Sequence, residues 1–445
     1  MSSGVFYRSL DKEYPEAVSG RGVYLFASSG KKILDGSSGA AVSSIGHGHP
    51  EVVGAIIEQL RKLSFAHSSF FTSRPTEKLA KYLLDHSHGA FSRVNFLCSG
   101  SEAVESALKL TRQYHLYNGE PERVNFIGRA HSYHGNTLGA LAIGNNPARR
   151  KALEPILSPS FHHVNRCFYD ADGAGRTEQV YEDALIAEFE AKILDIGSNT
   201  VAGIVVEPVG GATLGAVPAT RTYLPRLREL CDKHGIILIF DEVMCGMARV
   251  GTYHAWESLG GVAPDIQTIG KGLGGGYQPL SAVLLSPKVV NLFEQKSKGA
   301  DKFVSGHTFQ DHSVACAGAL AVQTILERED ALSNVNAMGS LLVELLTSSL
   351  PHGLVEASVS FRGLGLFRTI DFGDAKSQYG GPLAADIAEE AFKLGAAVYL
   401  CSPAVDAILF APPLIISASE IAELADIFLR AVQNVISKRL AEVTN

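Results

Sequence analysis

A chain of 445 residues, 46% of them hydrophobic, is long enough for two domains, because single cores stop growing near about 250–300 residues. Its formal charge of −7 excludes the basic surface that nucleic acid or an anionic membrane rewards, and makes small molecules or another protein the expected partners. Six cysteines without a C-x-x-C spacing suggest neither a zinc site nor a disulfide framework, so no metal and a reducing, cytoplasmic setting are expected. No apolar run reaches membrane-spanning length, and the start, "MSSGVFYRSLDKEYPEA", lacks an apolar signal core.

The stretch "GVYLFASSGKKILDGSSG" reads as short strands with glycine turns, and "HPEVVGAIIEQLRKL" starts a helix with Pro50 in its first turn. The runs "VNFLCS", "RVNFIG", "GIVVEPV", "GIILIFDEV", "DIQTIGKG" and "LSAVLLS" are apolar, of strand length, and alternate with helical patterns. That alternation predicts a largely parallel sheet covered by helices, with its ligand at the carboxyl ends of the strands. Towards the end, the helical patterns "GALAVQTILERE", "AADIAEEAFKLG" and "ASEIAELADIFLRAVQNVISKRLAEV" mix with the short strands "GLGLFRTIDF" and "AVYLC". This part reads as a smaller α+β domain.

Three segments carry chemistry. In "LCSGSEAVESALKLTRQY", Ser99 and Glu102 form an S-x-x-E capping box, which alone explains a helix start. The same start, with Ser99, Gly100 and Ser101 behind a strand, also offers free N–H groups, hydroxyls and a helix dipole to a phosphate. In "GIILIFDEV", Asp241 and Glu242 follow an apolar strand, where a carboxylate is costly unless a cation or donor faces it; Asp241 is either a helix cap, an arginine partner or a functional acid. His131, His134, His47 and His49 have ordinary turn and helix-start explanations and no metal-ligand spacing.

"TIGKGLGGGYQPLSAVLLS" places Lys271 between glycines. Gly270, Gly272 and Gly275 match G-x-G-x-x-G, but they lead into Pro279 and a strand instead of the helix that a dinucleotide fingerprint requires. A surface lysine in a flexible turn is the ordinary alternative. A third reading aims the amine into a cleft, where desolvation lowers its pKa and lets it form a Schiff base with an aldehyde. Only this reading uses all three segments at once. A phosphate cradle, a buried acid and an aldehyde-binding lysine are the anchors of pyridoxal 5′-phosphate (PLP).

The order "GHGHP", "SGSEA", "YHG", "VEPV", "DEV", "GKGLGGG", "GHTF" and "FAPPL" closely resembles the class III (ornithine/GABA type, omega-amino-acid) aminotransferases of PLP fold type I, over essentially the whole chain. The resemblance implies an α/β fold. Its large domain holds a mostly parallel seven-stranded sheet sandwiched by helices (51–320), with a smaller α+β domain built from both chain ends (1–50 and 321–445). It implies that Lys271 is the Schiff-base lysine, that Asp241 holds the ring nitrogen, and that Glu207 supports the Asp241 end of the site. Ser99, Gly100 and Ser101 would lie at the phosphate, Tyr133 and Val243 on the two ring faces, and His134 and His307 also against the cofactor. Thr308 would reach the phosphate of the neighbouring subunit of a homodimer with shared active sites.

The departures bear on substrate. Leu409 stands where the family's carboxylate-binding arginine precedes "FAPPL", and Asn136 follows "YHG" where ornithine and GABA enzymes carry an arginine. Ala212 replaces the acid that pairs with that arginine, and Met244 the glutamine that contacts the ring hydroxyl. The pattern is similar to the amine:pyruvate branch, which implies a low-polarity amine donor and a small keto-acid acceptor such as pyruvate. Arg8, Arg249, Arg362 and Arg368 are the candidate anchors for the acceptor's carboxylate. PLP-dependent aminomutases, decarboxylases and phospho-lyases share the motifs, and a nicotinamide oxidoreductase or an inactive binding protein are the readings from other classes.

Overall fold

The computed structural model describes residues 4–296, 302–356 and 359–444. Its centre is a seven-stranded sheet, in the order Arg93–Leu97, Ser281–Leu285, Ile266–Ile269, Ile237–Asp241, Val201–Val206, Asn125–Arg129 and Phe161–Val164. Ser281–Leu285 runs antiparallel to both neighbours, while the other pairings are parallel. Every residue of Val201–Val206, Ile237–Asp241 and Ile266–Ile269 is buried, as expected of strands covered on both faces, and this is why they read as continuous apolar runs.

The edge strand Phe161–Val164 has no counterpart among the predicted runs. His162 and His163 occupy its middle and break the apolar signal. The helix after Pro50 spans Pro50–Lys62 with the proline in its first turn, and the long terminal helix spans Ala418–Thr444.

Two further sheets join distant parts of the chain. Ala17–Arg21, Tyr24–Ala27 and Lys32–Asp35 pair antiparallel, and Ala396–Ala397 adds in parallel to Lys32–Asp35. The predicted run "GLGLFRTIDF" is a hairpin of Ser360–Leu364 and Phe367–Asp371, with Gly365 at φ +52° in its turn. Ala407–Phe410 and then Tyr399–Leu400 extend that sheet. "AVYLC" is thus divided between two sheets, Ala396–Ala397 in one and Tyr399–Leu400 in the other. Leu34, Val52, Ile370, Phe410 and Phe428 share one core cluster, so the early strands and the late helices bury a common apolar surface.

Candidate active site

The carboxyl ends of five parallel strands deliver the predicted groups to one place. Arg93–Leu97 leads to the helix Gly100–Tyr117, whose N-cap is Ser99 with a complete capping box: the Ser99 hydroxyl accepts from Glu102 N at 3.3 Å, and the Glu102 carboxylate accepts from Ser99 N at 3.3 Å. The N–H groups of Gly100 and Ser101, in the first turn, have no intrahelical acceptor and face outward as anion donors. A Cβ on Gly100 would lie 2.6 Å from Val243 Cγ1, so only glycine lets the helix start approach the segment after Asp241. The Ser101 hydroxyl accepts from Asn136 N at 2.9 Å.

Asp241 and its neighbour Glu242 divide two roles between them. Glu242 is fully buried and accepts from Ala255 N (2.7 Å) and Trp256 N (3.0 Å); burial pushes its carboxyl up to about 8. The capping duty that sequence allowed for Asp241 therefore falls to Glu242. Asp241, the last residue of its strand, faces a cavity and accepts from His134 Nδ1 at 2.7 Å, Val243 N at 3.0 Å and the Thr268 hydroxyl at 3.2 Å. With His134 Nδ1 donating, the buried Nε2 of the same ring has no hydrogen-bond partner among the described residues. Glu207, at the end of Val201–Val206, accepts from Tyr133 N (3.1 Å) and Gly211 N (2.7 Å), and burial raises its pKa.

Lys271 follows Ile266–Ile269 in a short 3-10 turn and itself takes a left-handed φ of +41°. Such a backbone is rare for a residue with a long side chain, costs of order 1–3 kcal/mol, and is retained where a side chain must be aimed. Desolvation lowers the lysine pKa, with the charges of Asp241 and Glu207 opposing that shift. Gly275 and Gly276, at φ +59° and +84°, then turn the chain back into the antiparallel strand. The glycines therefore serve the return of the backbone, and the strained residue is the lysine.

A cavity of about 560 Å³ is lined by Gly100, Ser101, Tyr133, His134, Glu207, Asp241, Val243 and Lys271. Ser99, His307 and Thr308 are not among its lining residues; Thr308 is exposed, and His307 N donates to Gln310. Ala212, Met244, Tyr399, Cys401 and Ser402 form a further part of the wall. Leu409 is fully buried, and its ladder partner Tyr399 is the one that reaches the cavity.

Three of the four candidate arginines are committed elsewhere. Arg362 donates to the carbonyls of Gly215 and Leu214 and pairs with Asp371 at 2.7 Å; Arg249 donates to the Pro412 and Leu366 carbonyls; Arg368 donates to the Gly365 and Gly363 carbonyls. Arg8 does line the cavity, and so does Arg149. Sequence reasoning passed over Arg149 because "NNPARRK" has the look of an exposed basic turn.

Comparison with known proteins identifies the family. The sequence matches the family Aminotransferase class-III over residues 10–432. The chain belongs to the class III aminotransferases. It is 38% identical to an aminotransferase of Schizosaccharomyces pombe over 444 residues, 97% of this chain and 95% of that one. It is 30% identical to the putrescine–pyruvate aminotransferase of Pseudomonas aeruginosa over 444 residues, 98% of this chain and 94% of that one. The omega transaminase of Pseudomonas jessenii, solved in complex with PMP, superposes with a TM-score of 0.89 at 29% identity, covering 95% of this chain and 93% of that one.

Enzymes of this family depend on PLP, and the observed groups fit it. A pair of free helix N–H groups suits its phosphate, the Asp241 carboxyl group lining the cavity suits its ring nitrogen, and an amine shifted towards neutrality suits its aldehyde.

Proposed function

We propose that this aminotransferase moves the amino group of a low-polarity primary amine to a small keto acid such as pyruvate, in two alternating half-reactions. PLP, when bound, supplies an electron sink for the bond that breaks at the amine-bearing carbon. Lys271 carries the cofactor and then, as a free amine whose pKa is lowered by desolvation, takes a proton from the substrate carbon and returns one. Asp241 holds a proton at the ring nitrogen, and His134 Nδ1 fixes the orientation of that carboxylate. Glu207 orients the loop that bears Tyr133 by accepting from its N–H. Gly100 and Ser101 would receive the phosphate, with Ser99 capping the helix that presents them, and Tyr133 and Val243 would hold the two ring faces.

The observation that carries the substrate reading is the cavity wall formed by Ala212 and Met244, with Leu409 buried behind it. None of the three offers a fixed charge to a donor's carboxylate, and an unpaired carboxylate carries a desolvation cost there. Along that wall binding energy comes from apolar area, about 0.8 kcal/mol for each buried CH₂, or roughly fourfold in rate where it is gained in the transition state. A longer or aromatic primary amine should therefore exceed ornithine, GABA and glutamate in kcat/KM with pyruvate as acceptor. Higher values for the amino acids would overturn this substrate assignment.

We also propose a homodimer in which Thr308, and His307 beside it, serve the neighbouring active site. Thr308 is exposed and outside its own cavity, and it precedes the exposed Phe309, whose ring lies 5.7 Å from that of the exposed Phe65, a surface suited to a partner. Thr308→Ala should leave a dimer by light scattering but lose PLP several-fold faster on dialysis. An active monomer with full cofactor content would contradict the arrangement. All six cysteines are unpaired and five are buried, which fits a reducing compartment, and we place the protein in the cytoplasm.

A further inference from the structure

We infer that Arg149 is the specificity residue that receives the carboxylate of the keto-acid acceptor. The inference rests on the transaminase reading above and names how its second substrate is recognised.

Arg149 and Arg8 are the two arginines that line the cavity. Arg149 is half-buried, and among the described residues its guanidinium has no hydrogen-bond or ion-pair partner. Its neighbour Arg150 shows the contrast: that side chain donates to the carbonyls of Ala142 (3.0 Å) and Gly144 (2.6 Å), which pins the turn. A half-buried arginine in a cavity wall, with no protein partner for its guanidinium, keeps all its donors for an incoming anion.

Neither acid of the cavity is paired with it. Both oxygens of Asp241 are engaged by His134, Val243 N and Thr268, and both oxygens of Glu207 by Tyr133 N and Gly211 N. The charge of Arg149 is felt inside the site, where it is the largest influence opposing the burial that raises the Tyr133 phenol. Its backbone is also fixed relative to the cavity. Arg149 N and Arg150 N both donate to Asn146 O, and the Asn146 side-chain amide donates to Thr213 Oγ1 at 3.2 Å, with Asn146 and Thr213 themselves lining the cavity. Arg8 has no such anchorage, because it belongs to an exposed N-terminal segment.

An anchored arginine in a cavity that Ala212 and Met244 also line suits a pair of substrates of which one carries a carboxylate next to its reacting carbon. A keto acid presents two carboxylate oxygens to the planar guanidinium fork, while an amine donor without that group lies against Ala212 and Met244.

The test compares Arg149→Gln with the unaltered holoenzyme, using pyruvate and propanal, three-carbon acceptors of which only pyruvate carries a carboxylate on its reacting carbon. The kcat/KM for pyruvate should fall about 10- to 100-fold, the range for a hydrogen bond to a charged group, while that for propanal is unchanged. Arg149→Lys should recover part of the loss, because it keeps the charge without the fork. Equal losses for both acceptors, or an unchanged value for pyruvate, would overturn the assignment. A second arm needs no turnover: the Kd of unreactive propanoate for the holoenzyme, by calorimetry, should rise about 10-fold or more in Arg149→Gln, and an unchanged Kd would also overturn it. If the unaltered enzyme aminates neither acceptor, the transaminase reading fails, and the propanoate arm still decides the role of Arg149.

Discussion

Lys271→Ala is expected to fold, to retain PLP without a covalent link, and to lose turnover by about 10²- to 10⁴-fold or more, the usual contribution of a positioned proton-transfer group. Retention is expected because the other holding groups belong to separate strands: Gly100 and Ser101 follow Arg93–Leu97, and Asp241 ends Ile237–Asp241. Folding is expected because Lys271 lies at φ +41°, a conformation that alanine tolerates about as poorly as lysine, so the backbone strain is common to both. Cofactor content after dialysis and borohydride labelling check this together. The unaltered protein should carry the reduced cofactor on the peptide containing Lys271, and the variant should carry none. A variant that is still labelled and turns over normally would remove Lys271 from the mechanism.

Asp241→Asn should cost about 10²- to 10³-fold in both half-reactions, corresponding to the loss of one member of a buried ion pair. The substitution is nearly isosteric and can keep the contacts from Val243 N and Thr268, so the fold should persist. What it removes is the negative charge between His134 and the cofactor's ring nitrogen, without which that nitrogen is not kept protonated. PLP should also dissociate faster. Stopped-flow measurement of each half-reaction separates the two effects, and unchanged rates would place the essential acid elsewhere.

Much of this site was legible because the chemistry demands particular residue types at strand ends. Asp241 stood out as a carboxylate after a continuously apolar run, and Lys271 as a long cation among glycines; the sheet then brings both to one cavity through the parallel pairing of Asp241 with Thr268. Six of the seven strands coincide with the apolar runs, whereas Phe161–Val164 does not, because two histidines interrupt it. The arginines were not legible. Arg249 and Arg362 are buried in backbone carbonyls contributed from residues more than a hundred positions away, as the bonds to Leu366, Pro412, Leu214 and Gly215 show. Arg149, within an ordinary basic turn, owes its place at the cavity to the Asn146–Thr213 contact. Local sequence gives a guanidinium its charge, but only the long-range fold decides whether that charge is already satisfied.

The left-handed backbone at Lys271 is a further feature that sequence did not disclose. Neighbouring glycines suggest that they absorb the unusual geometry, and Gly275 and Gly276 do absorb the return turn. The lysine nevertheless takes a strained conformation of its own, held by the buried strand before it and the antiparallel strand after it.

The most direct measurement is a single-turnover cycle followed through the visible absorption of the bound cofactor. A hydrophobic primary amine, added alone, should bleach the band and release one equivalent of the matching aldehyde or ketone. Pyruvate, added next, should restore the band and yield one equivalent of alanine. Failure of pyruvate and other small keto acids to restore it, or the appearance of carbon dioxide, phosphate or a rearranged amine in place of the carbonyl product, would contradict amino-group transfer as the reaction of this chain.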